Sequence, residues 1–384
     1  MLERVYQSIM RLGRRFIRFS VPKVYYAAEE FAGFIKGCGV KKALIVTGNS
    51  VHNKHKLTES LIKSLKEHEV EAVVFSEAKV NPTVEQAEYV ARLFIDFSCD
   101  GMIGFGGGSA MDLAKAAACR VSRPDKSFSS LKGMLKVKKM TVPLFAVPTT
   151  AGTGSETTIC AVITDAENKD KYAINDPVIT PLATLLDAEL TVSLSPSLTA
   201  QTGMDALTHA VEAYIGRSGT KESDEYAIKA VKSIFENLQI AVANGSDRAA
   251  RKNMLTASFE AGIAFSRAYV GYVHALAHAI GGYYGTPHGL CNAVLLPYVL
   301  KAYGKSAQKK LNILAKAIGS DDFIDSVIKL SEKVGIPKKL KVREEDLDEL
   351  ALHADKVANP LYPVPKIFHK KRLKEILIQA TEVE

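Results

Sequence analysis

The stretch Gly101-Met-Ile-Gly-Phe-Gly-Gly-Gly-Ser-Ala-Met-Asp-Leu-Ala-Lys115 contains the junction that decides the fold class. A short apolar run passes directly into three glycines and then into an alanine-rich helical pattern. The glycines let the backbone approach a ligand closely, and the first helical turn offers free N–H groups to a pyrophosphate. A tight turn without a ligand explains a lone glycine triplet equally well, and the pattern departs from the usual GxGxxG after a first strand. The junction therefore predicts a nucleotide site without predicting the standard dinucleotide fold.

Apolar runs and helical patterns alternate on both sides of this junction. Strands are predicted at 42–47, 71–76, 101–105, 143–147 and 183–187, with helices at about 55–66 and 84–97. Short buried strands separated by helices indicate an open, doubly wound parallel sheet. Residues 121–140 are predicted to form a surface insertion, and a hairpin is expected between 161–165 and 171–174.

The pattern becomes helical from Ser195 almost to the end of the chain. We therefore predict a boundary near Leu190. An α/β nucleotide-binding domain is expected over 1–190 and an all-α domain over 191–384.

The strand predicted at 143–147 also runs into small polar residues, in Pro148-Thr-Thr-Ala-Gly-Thr-Gly-Ser-Glu156. Ligands of open α/β sheets bind outside the carboxyl ends of the strands. The hydroxyl groups of Thr149, Thr150 and Thr153 are therefore predicted to contact ribose and phosphate oxygens.

Two segments of the helical half carry groups that can bind a metal. Asp205 and His209 lie four residues apart and so share a helix face. Such a pair alone is more often a surface hydrogen bond. Some sixty residues later, Tyr272–Gly289 holds His274, His278 and His288 among Ala, Gly and aromatic residues. Imidazoles in an apolar run need partners, so one carboxylate and three histidines predict a divalent-metal site. The spacing does not tell which of the three later histidines is not a metal ligand.

Composition excludes several classes of protein. The 384 residues are 47% apolar and 24% charged, which describes an ordinary globular protein long enough for two domains. A formal charge of +8 is compatible with an anionic ligand, but no interleaved basic and aromatic residues favour nucleic acid. The five cysteines form no CxxC pair, which favours a reducing cytoplasm, and no apolar run approaches the length of a membrane span.

The N-terminal segment is unusual in its charge. Residues 1–20 carry five arginines among apolar residues at helical spacing, and they predict a basic amphipathic helix. We expect this helix to pack on the body of the protein or on another subunit, with membrane-surface or nucleic-acid contact as the alternative.

Four motifs in this order resemble the iron-containing (group III) alcohol dehydrogenase family: GGGSAMDLAK, PTTAGTGSE, TGMDALTHAVEAY and GYVHALAHAIGGYYGTPHG. The resemblance covers about residues 40–300 and implies a dehydroquinate synthase-like fold, with an α/β nucleotide-binding domain and an all-α metal-binding domain. Glycerol dehydrogenase and dehydroquinate synthase share this architecture but not the pair of histidine motifs.

The resemblance also implies roles for individual residues. The implied metal ligands are Asp205, His209, His274 and His288. It implies that His278 lies close to the nicotinamide and the substrate, as the catalytic residue. The implied pyrophosphate contacts are Gly107, Gly108, Ser109 and Asp112, and the same surface is extended by Asn81, Thr149, Thr150, Thr153 and Lys171.

Two departures from the family pattern bear on specificity. Where many members have an acidic residue after the first strand, this chain has Gly48, Asn49 and Ser50. Without that carboxylate a 2′-phosphate meets no repulsion, and Ser50 can donate to it, so NADP(H) is favoured over NAD(H). Arg267 stands where the family commonly has Asn, and it either alters the substrate size or charge preference or is a salt-bridged surface arginine.

The expected function is a metal-dependent, NAD(P)-linked alcohol dehydrogenase or aldehyde reductase acting on a small primary alcohol or aldehyde. Fe²⁺ is the family expectation, although this ligand chemistry permits Zn²⁺ or another divalent metal. The alternatives are a relative resembling glycerol dehydrogenase or dehydroquinate synthase, and a non-catalytic nucleotide-binding protein. The resemblance further suggests a homodimer or larger homo-oligomer.

Overall fold

Strands and helices alternate through the first half of the chain, and helices dominate the second half. This computed structural model describes residues 2–13, 17, 19–167 and 170–383. The strands are β1 (Lys23–Tyr25), β2 (Lys42–Val46), β3 (Glu71–Phe75), β4 (Gly101–Gly106), β5 (Gly133–Met134), β6 (Leu144–Pro148), β7 (Cys160–Asp165), β8 (Asp170–Asn175), β9 (Ala183–Leu185), β10 (Leu340–Val342) and β11 (Thr381–Val383). The helices are α1 (Leu2–Gly13), α2 (Ala28–Gly37), α3 (Glu59–Glu67), α4 (Val84–Asp96), α5 (Gly108–Ser122), α6 (Phe128–Leu131), α7 (Pro196–Ile215), α8 (Lys221–Ala243), α9 (Arg248–Ala268), α10 (Tyr272–Tyr284), α11 (His288–Tyr303), α12 (Lys305–Ala317), α13 (Phe323–Lys333), α14 (Leu347–Ala358) and α15 (Lys370–Ala380).

The main sheet has six strands in the order β1-β9-β6-β4-β2-β3. All of its strand pairs are parallel. The inner strands β2, β4 and β6 bury their side chains on both faces, because helices cover both faces. The predicted doubly wound sheet is confirmed. Strand β1 was not predicted, since three partly exposed residues carry no apolar run.

Alternate residues of β2 show how the sheet is covered. Leu44 and Val46 point into the core formed with α4 and α5. Ala43 and Ile45 point into the opposite core, formed with α2 and α3. Each strand residue therefore stabilises one of two helix layers, as the two-residue period of a strand requires.

The segment predicted as a surface insertion is only partly on the surface. Phe128, Leu131 and Val137 are buried in the core of this half, and β5 pairs with β8 in a three-stranded sheet. The hairpin is confirmed, because β7 and β8 are antiparallel neighbours, while its tip at 168–169 lies outside the described residues. The insertion prediction was wrong because apolar residues spaced among lysines and serines concealed a buried side.

The chain folds into two compact units, Arg18–Ser193 and Met1–Ile17 with Leu194–Glu384. In the second unit, Arg4 donates to the carbonyl oxygens of Val364 and Pro365, and Gln7 donates to that of Tyr362. Helix α1 therefore packs through polar contacts on a segment far along the chain. It ends at Gly13 instead of near residue 20, and the predicted positions 14–16 and 18 lie outside the described residues.

Within the described part of the chain, no helix combines the length and apolar character needed to cross a bilayer.

Candidate metal centre and cofactor surface

Helix α7 presents the first two predicted metal ligands on one buried face. Ser195 caps the helix, since its hydroxyl oxygen accepts from the Leu198 N–H, and Pro196 occupies the first turn. Asp205 and His209 lie in the middle of the helix, and both are buried. The Phe265 ring stacks on the His209 ring, with centroids 4.2 Å apart. Packing therefore holds this imidazole in one orientation.

Helices α10 and α11 bring the second histidine segment beside α7. The centroid of the buried His274 ring lies 4.4 Å from that of His209 and 5.4 Å from that of His288. His288 is the first residue of α11, and its Nε2 atom lies 3.7 Å from Asp205 Oδ1. The structure thus gathers all four residues of the predicted ligand set.

The donor atoms of this group fit a divalent cation. Asp205, His209 and His274 each offer an atom within 4.8 Å of the others. His274 Nε2 is buried without a hydrogen-bond partner, an arrangement that costs free energy unless something binds there. Burial, followed by the neighbouring imidazoles, holds the pKa of His274 well below its usual value. A neutral imidazole is the form that binds a metal, so the site suits the predicted ion.

His278 is placed differently from the other histidines. It lies one turn beyond His274 on α10, and its side chain is exposed. Its ring stacks on His288 with centroids 5.1 Å apart, and its centroid is 6.2 Å from that of His274. His278 is therefore next to the cluster while remaining in contact with solvent.

Two buried residues of the centre were missed at the sequence level. Glu212, three residues after His209, has its Oε2 atom 2.7 Å from His274 Nδ1. Asn292, four residues after His288, donates from Nδ2 to Asp205 Oδ1 at 2.7 Å and to His288 Nε2 at 3.0 Å. A signal was present, because each is a polar residue on an apolar helix one turn from a predicted ligand.

In the unit Arg18–Ser193, the glycine turn at residues 106–108 contacts the threonine-containing segment at residues 148–156. Strands β4 and β6 are neighbours in register to their carboxyl ends, and Thr149 N donates to Gly106 O at 3.0 Å. A Cβ atom at Gly108 would lie 3.0 Å from Thr153 Cγ2, so a larger residue would displace Thr153 by a few tenths of an ångström. A Cβ atom at Gly107 would lie 3.5 Å from Thr150 Oγ1. The predicted phosphate and ribose contacts therefore form one surface.

Ser109 lies in the first turn of α5, but the Asp112 carboxylate is engaged inside the unit. Asp112 Oδ1 accepts from Ser155 Oγ at 2.7 Å, and Oδ2 accepts from Val162 N at 3.1 Å. Burial raises the pKa of Asp112, while nearby Lys115 opposes that shift. Its observed contacts tie α5 to the segments that follow β6.

The remaining predicted cofactor residues form two further groups. Lys171 Nζ donates to Asn81 Oδ1 at 2.8 Å, so these two side chains meet as a pair. Gly48 follows β2, and Ser50 begins a short exposed helical turn, Ser50–Lys54. None of the residues from Thr47 to Ser50, which follow β2, is acidic.

Arg267, the departure noted just before the second histidine segment, is buried and forms an ion pair with Glu222. The predicted salt bridge is therefore present, but the prediction of a surface position was wrong, because the Arg267 side chain is buried.

Comparison with known proteins agrees with this geometry. The family model described as iron-containing alcohol dehydrogenase matches residues 23–188. A second, described as the C-terminal part of the Fe-containing alcohol dehydrogenase family, matches residues 199–381. NAD-dependent methanol dehydrogenase of Bacillus methanolicus is 37% identical over 342 residues, covering 85% of this chain and 89% of that protein.

A further relative, NADPH-dependent butanol dehydrogenase of Clostridium saccharobutylicum, is 34% identical over 336 residues and covers 85% of this chain and 86% of its own length. The solved alcohol dehydrogenase from Oenococcus oeni superposes with a TM-score of 0.91 at 34% identity, over 95% of this chain and all of that one. The expected enzyme class is thereby confirmed over its alternatives. The chain belongs to the iron-containing alcohol dehydrogenase family and is an alcohol dehydrogenase.

Proposed function

We propose that the helical unit binds one divalent cation through Asp205, His209, His274 and His288. The observation that carries this proposal is the buried His274 Nε2 atom, which lacks a hydrogen-bond partner beside two further donors within 4.8 Å. One carboxylate and three neutral imidazoles leave a divalent ion with net positive charge. Fe²⁺ is the expected native ion, and the same donors accept Zn²⁺ or Co²⁺.

The nicotinamide cofactor is proposed to lie along the carboxyl ends of β2, β4 and β6. The residues proposed to contact it are Gly48, Ser50, Asn81, Gly107, Gly108, Ser109, Thr149, Thr150, Thr153 and Lys171. Support comes from the close approach of the glycine turn to Thr153, which leaves the amide groups at the start of α5 next to the threonine hydroxyls. Asp112 contributes by holding α5 in place, since both of its oxygens already accept hydrogen bonds.

The cation supplies a Lewis acid for the alcohol or carbonyl oxygen, and the nicotinamide carries the hydride. The protein orients these groups and handles the proton. His278 is the proposed proton carrier because it lies beside His274 and His288 and its side chain is exposed. An imidazole titrates near neutral pH, so His278 can accept the alcohol proton and release it to water.

The proposed substrates are small primary alcohols and their aldehydes. The names of the similar proteins, a methanol dehydrogenase and a butanol dehydrogenase, support this size class. The test is a panel of C1–C6 aldehydes with NADPH and NADH, using protein stripped of metal and reloaded anaerobically with Fe²⁺, Zn²⁺ or Co²⁺. We expect turnover only in the reloaded samples. An equally active stripped sample would refute the metal's role, and no turnover in any sample would refute the substrate class.

We further propose a preference for NADP(H), supported by the absence of a carboxylate from Gly48, Asn49 and Ser50. The substitution Gly48→Asp tests this. A Cβ atom at residue 48 would lie 3.5 Å from Ala78 O, an ordinary contact, so a side chain can begin at this position without a clash. A carboxylate there repels a 2′-phosphate and accepts from the ribose hydroxyls.

The ratio of kcat/KM for NADPH to that for NADH should therefore fall by about tenfold or more in Gly48→Asp, which corresponds to about 1.4 kcal/mol. Asn49→Gln, which adds no charge, is the control. A wild-type enzyme that already prefers NADH would refute the proposal directly.

The proposed setting is a reducing cytoplasm, supported by the free thiols of all five cysteines. The nucleotide-binding and metal-binding roles are proposed to divide near residue 190. A homodimer or larger homo-oligomer is proposed from the family resemblance, and light scattering after size-exclusion chromatography measures it.

A further inference from the structure

Glu212 is not one of the predicted metal ligands, but it contacts the predicted ligand His274 and the backbone beside it. Its Oε1 atom accepts from Val273 N at 2.8 Å. Its Oε2 atom accepts from Gly271 N at 2.7 Å and lies 2.7 Å from His274 Nδ1. One carboxylate on α7 thus satisfies N–H groups at the start of α10 and contacts the imidazole of a predicted ligand.

The contact with His274 determines which ring nitrogen carries the proton. Burial raises the pKa of Glu212 to about 7, and the backbone N–H groups of Gly271, Val273 and His274 oppose that shift. An ionised carboxylate can only accept, so beside ionised Glu212 the neutral imidazole places its hydrogen on Nδ1. The lone pair is then on Nε2, the buried atom without a hydrogen-bond partner. A metal-binding histidine commonly donates its other N–H to a carboxylate, which fixes the tautomer and raises the basicity of the ligand.

The charge of Glu212 needs an explanation beyond helix capping. The residue is buried, and among the described residues none of its hydrogen-bond donors is a lysine or an arginine. The positive end of α10 provides part of the compensation. A cation bound to the other nitrogen of His274 provides a full charge on the opposite side of the same ring.

The backbone is also adapted to this carboxylate. A Cβ atom at Gly271 would lie 2.7 Å from Glu212 Oε1, closer than a real Cβ contact. Glycine at this position is therefore required for Glu212 to reach the first N–H groups of α10.

We propose that Glu212 is a positioning residue of the metal centre, which fixes His274 with Nε2 available to the ion and thereby sets the affinity for the metal. This inference rests on the metal site of the proposed function. Its test therefore measures metal binding directly, without alcohol turnover.

The test compares Glu212→Gln with Glu156→Gln, which changes an equally buried glutamate in the other unit. The amide of glutamine has an NH₂ group in place of one carboxylate oxygen. In one orientation this group faces the Val273 N–H, and in the other it faces His274 Nδ1. If the amide faces the ring, the imidazole proton moves to Nε2. Chelator competition with Zn²⁺ and Co²⁺ should show about 10–100-fold weaker binding for Glu212→Gln and wild-type affinity for Glu156→Gln. The visible spectrum of the Co²⁺ protein should change only in Glu212→Gln.

The outcomes separate the two levels of inference. A wild-type protein that does not bind these ions would overturn the proposed metal site and this inference together. A wild type that binds, with a Glu212→Gln variant that matches its affinity and Co²⁺ spectrum, would overturn only the role of Glu212, even if the variant unfolds at a lower temperature. If Glu212→Gln does not fold, Glu212→Asp replaces it. This variant keeps the charge but withdraws the oxygens from His274, so weaker binding supports the role and wild-type binding refutes it.

Discussion

Each unit of this enzyme buries a charged cluster, and the two clusters differ in how completely their polar atoms are paired. In the nucleotide-binding unit, Lys115 Nζ lies 2.5–3.3 Å from five oxygen atoms of Ser155, Thr158 and Cys160. In the helical unit, His274 pairs one ring nitrogen with Glu212 and leaves the other unpaired. The Lys115 ammonium group therefore already has its acceptors and acts in the fold, whereas the unpaired nitrogen of His274 is where the proposed cation would bind.

The largest expected effect comes from removing the unpaired nitrogen. His274→Ala should lose metal and turnover together, with kcat reduced about 10³-fold or more, because a Lewis acid contributes several kcal/mol to the barrier. Metal analysis and aldehyde reduction measure the two losses. A variant that keeps its metal and its turnover would show that His274 is not a metal ligand.

Substitutions in the Lys115 cluster should lower the stability of the fold without changing metal binding. Lys115→Met removes one donor from each of five oxygen atoms and leaves Lys171, among the described residues, as the remaining cation near the buried Asp112 carboxyl. The free energy of unfolding should therefore fall by about 3–5 kcal/mol. Urea unfolding measures this loss, and chelator competition on the folded protein should return the wild-type metal affinity. Unchanged stability would mean that the cluster contributes little to the fold.

A smaller, pH-dependent effect is expected from Glu156, whose Oε2 atom is buried without a hydrogen-bond partner near Lys115. Burial raises its pKa from 4.5 to about 7. The folded state therefore binds a proton more tightly than the unfolded state does. The contribution of Glu156 to stability is greatest below pH 4.5 and is lost as the pH rises through about 7.

Glu156→Gln removes this titration. The free energy of unfolding of the variant minus that of the wild type should be larger at pH 8 than at pH 5, by at most about 3 kcal/mol. Urea unfolding at both pH values gives the difference. An equal difference at the two pH values would contradict the prediction, because it would show that folding does not raise the pKa of Glu156.

The sequence predicts the sheet well where strands are apolar and buried. The strand predicted at 101–105 is observed at Gly101–Gly106 with every residue buried, because a run of apolar residues has one favourable position between two helix layers. Strand β1 escaped prediction because its pairing with β9, not its own composition, makes it a strand. Buried Phe128 and Leu131 were similarly hidden by the polar residues around them.

Helical spacing alone paired Asp205 with His209, since both lie on one helix. It did not choose among the three later histidines. The place of His288 beside Asp205 depends on how α11 packs against α7, and local pattern carries no record of that packing. Glu212 was missed for a related reason. A glutamate in a helix is usually solvated, and its burial becomes visible only when α10 meets α7.

The packing of α1 has a consequence for synthesis on the ribosome. The acceptor of Arg4 at Pro365 lies 361 residues further along the chain. At about 5–20 residues per second, roughly 20–70 s pass between the translation of donor and acceptor. The sheet-containing unit is synthesised within that interval, so Arg4 and Gln7 reach these acceptors only after residues 362–365 have emerged.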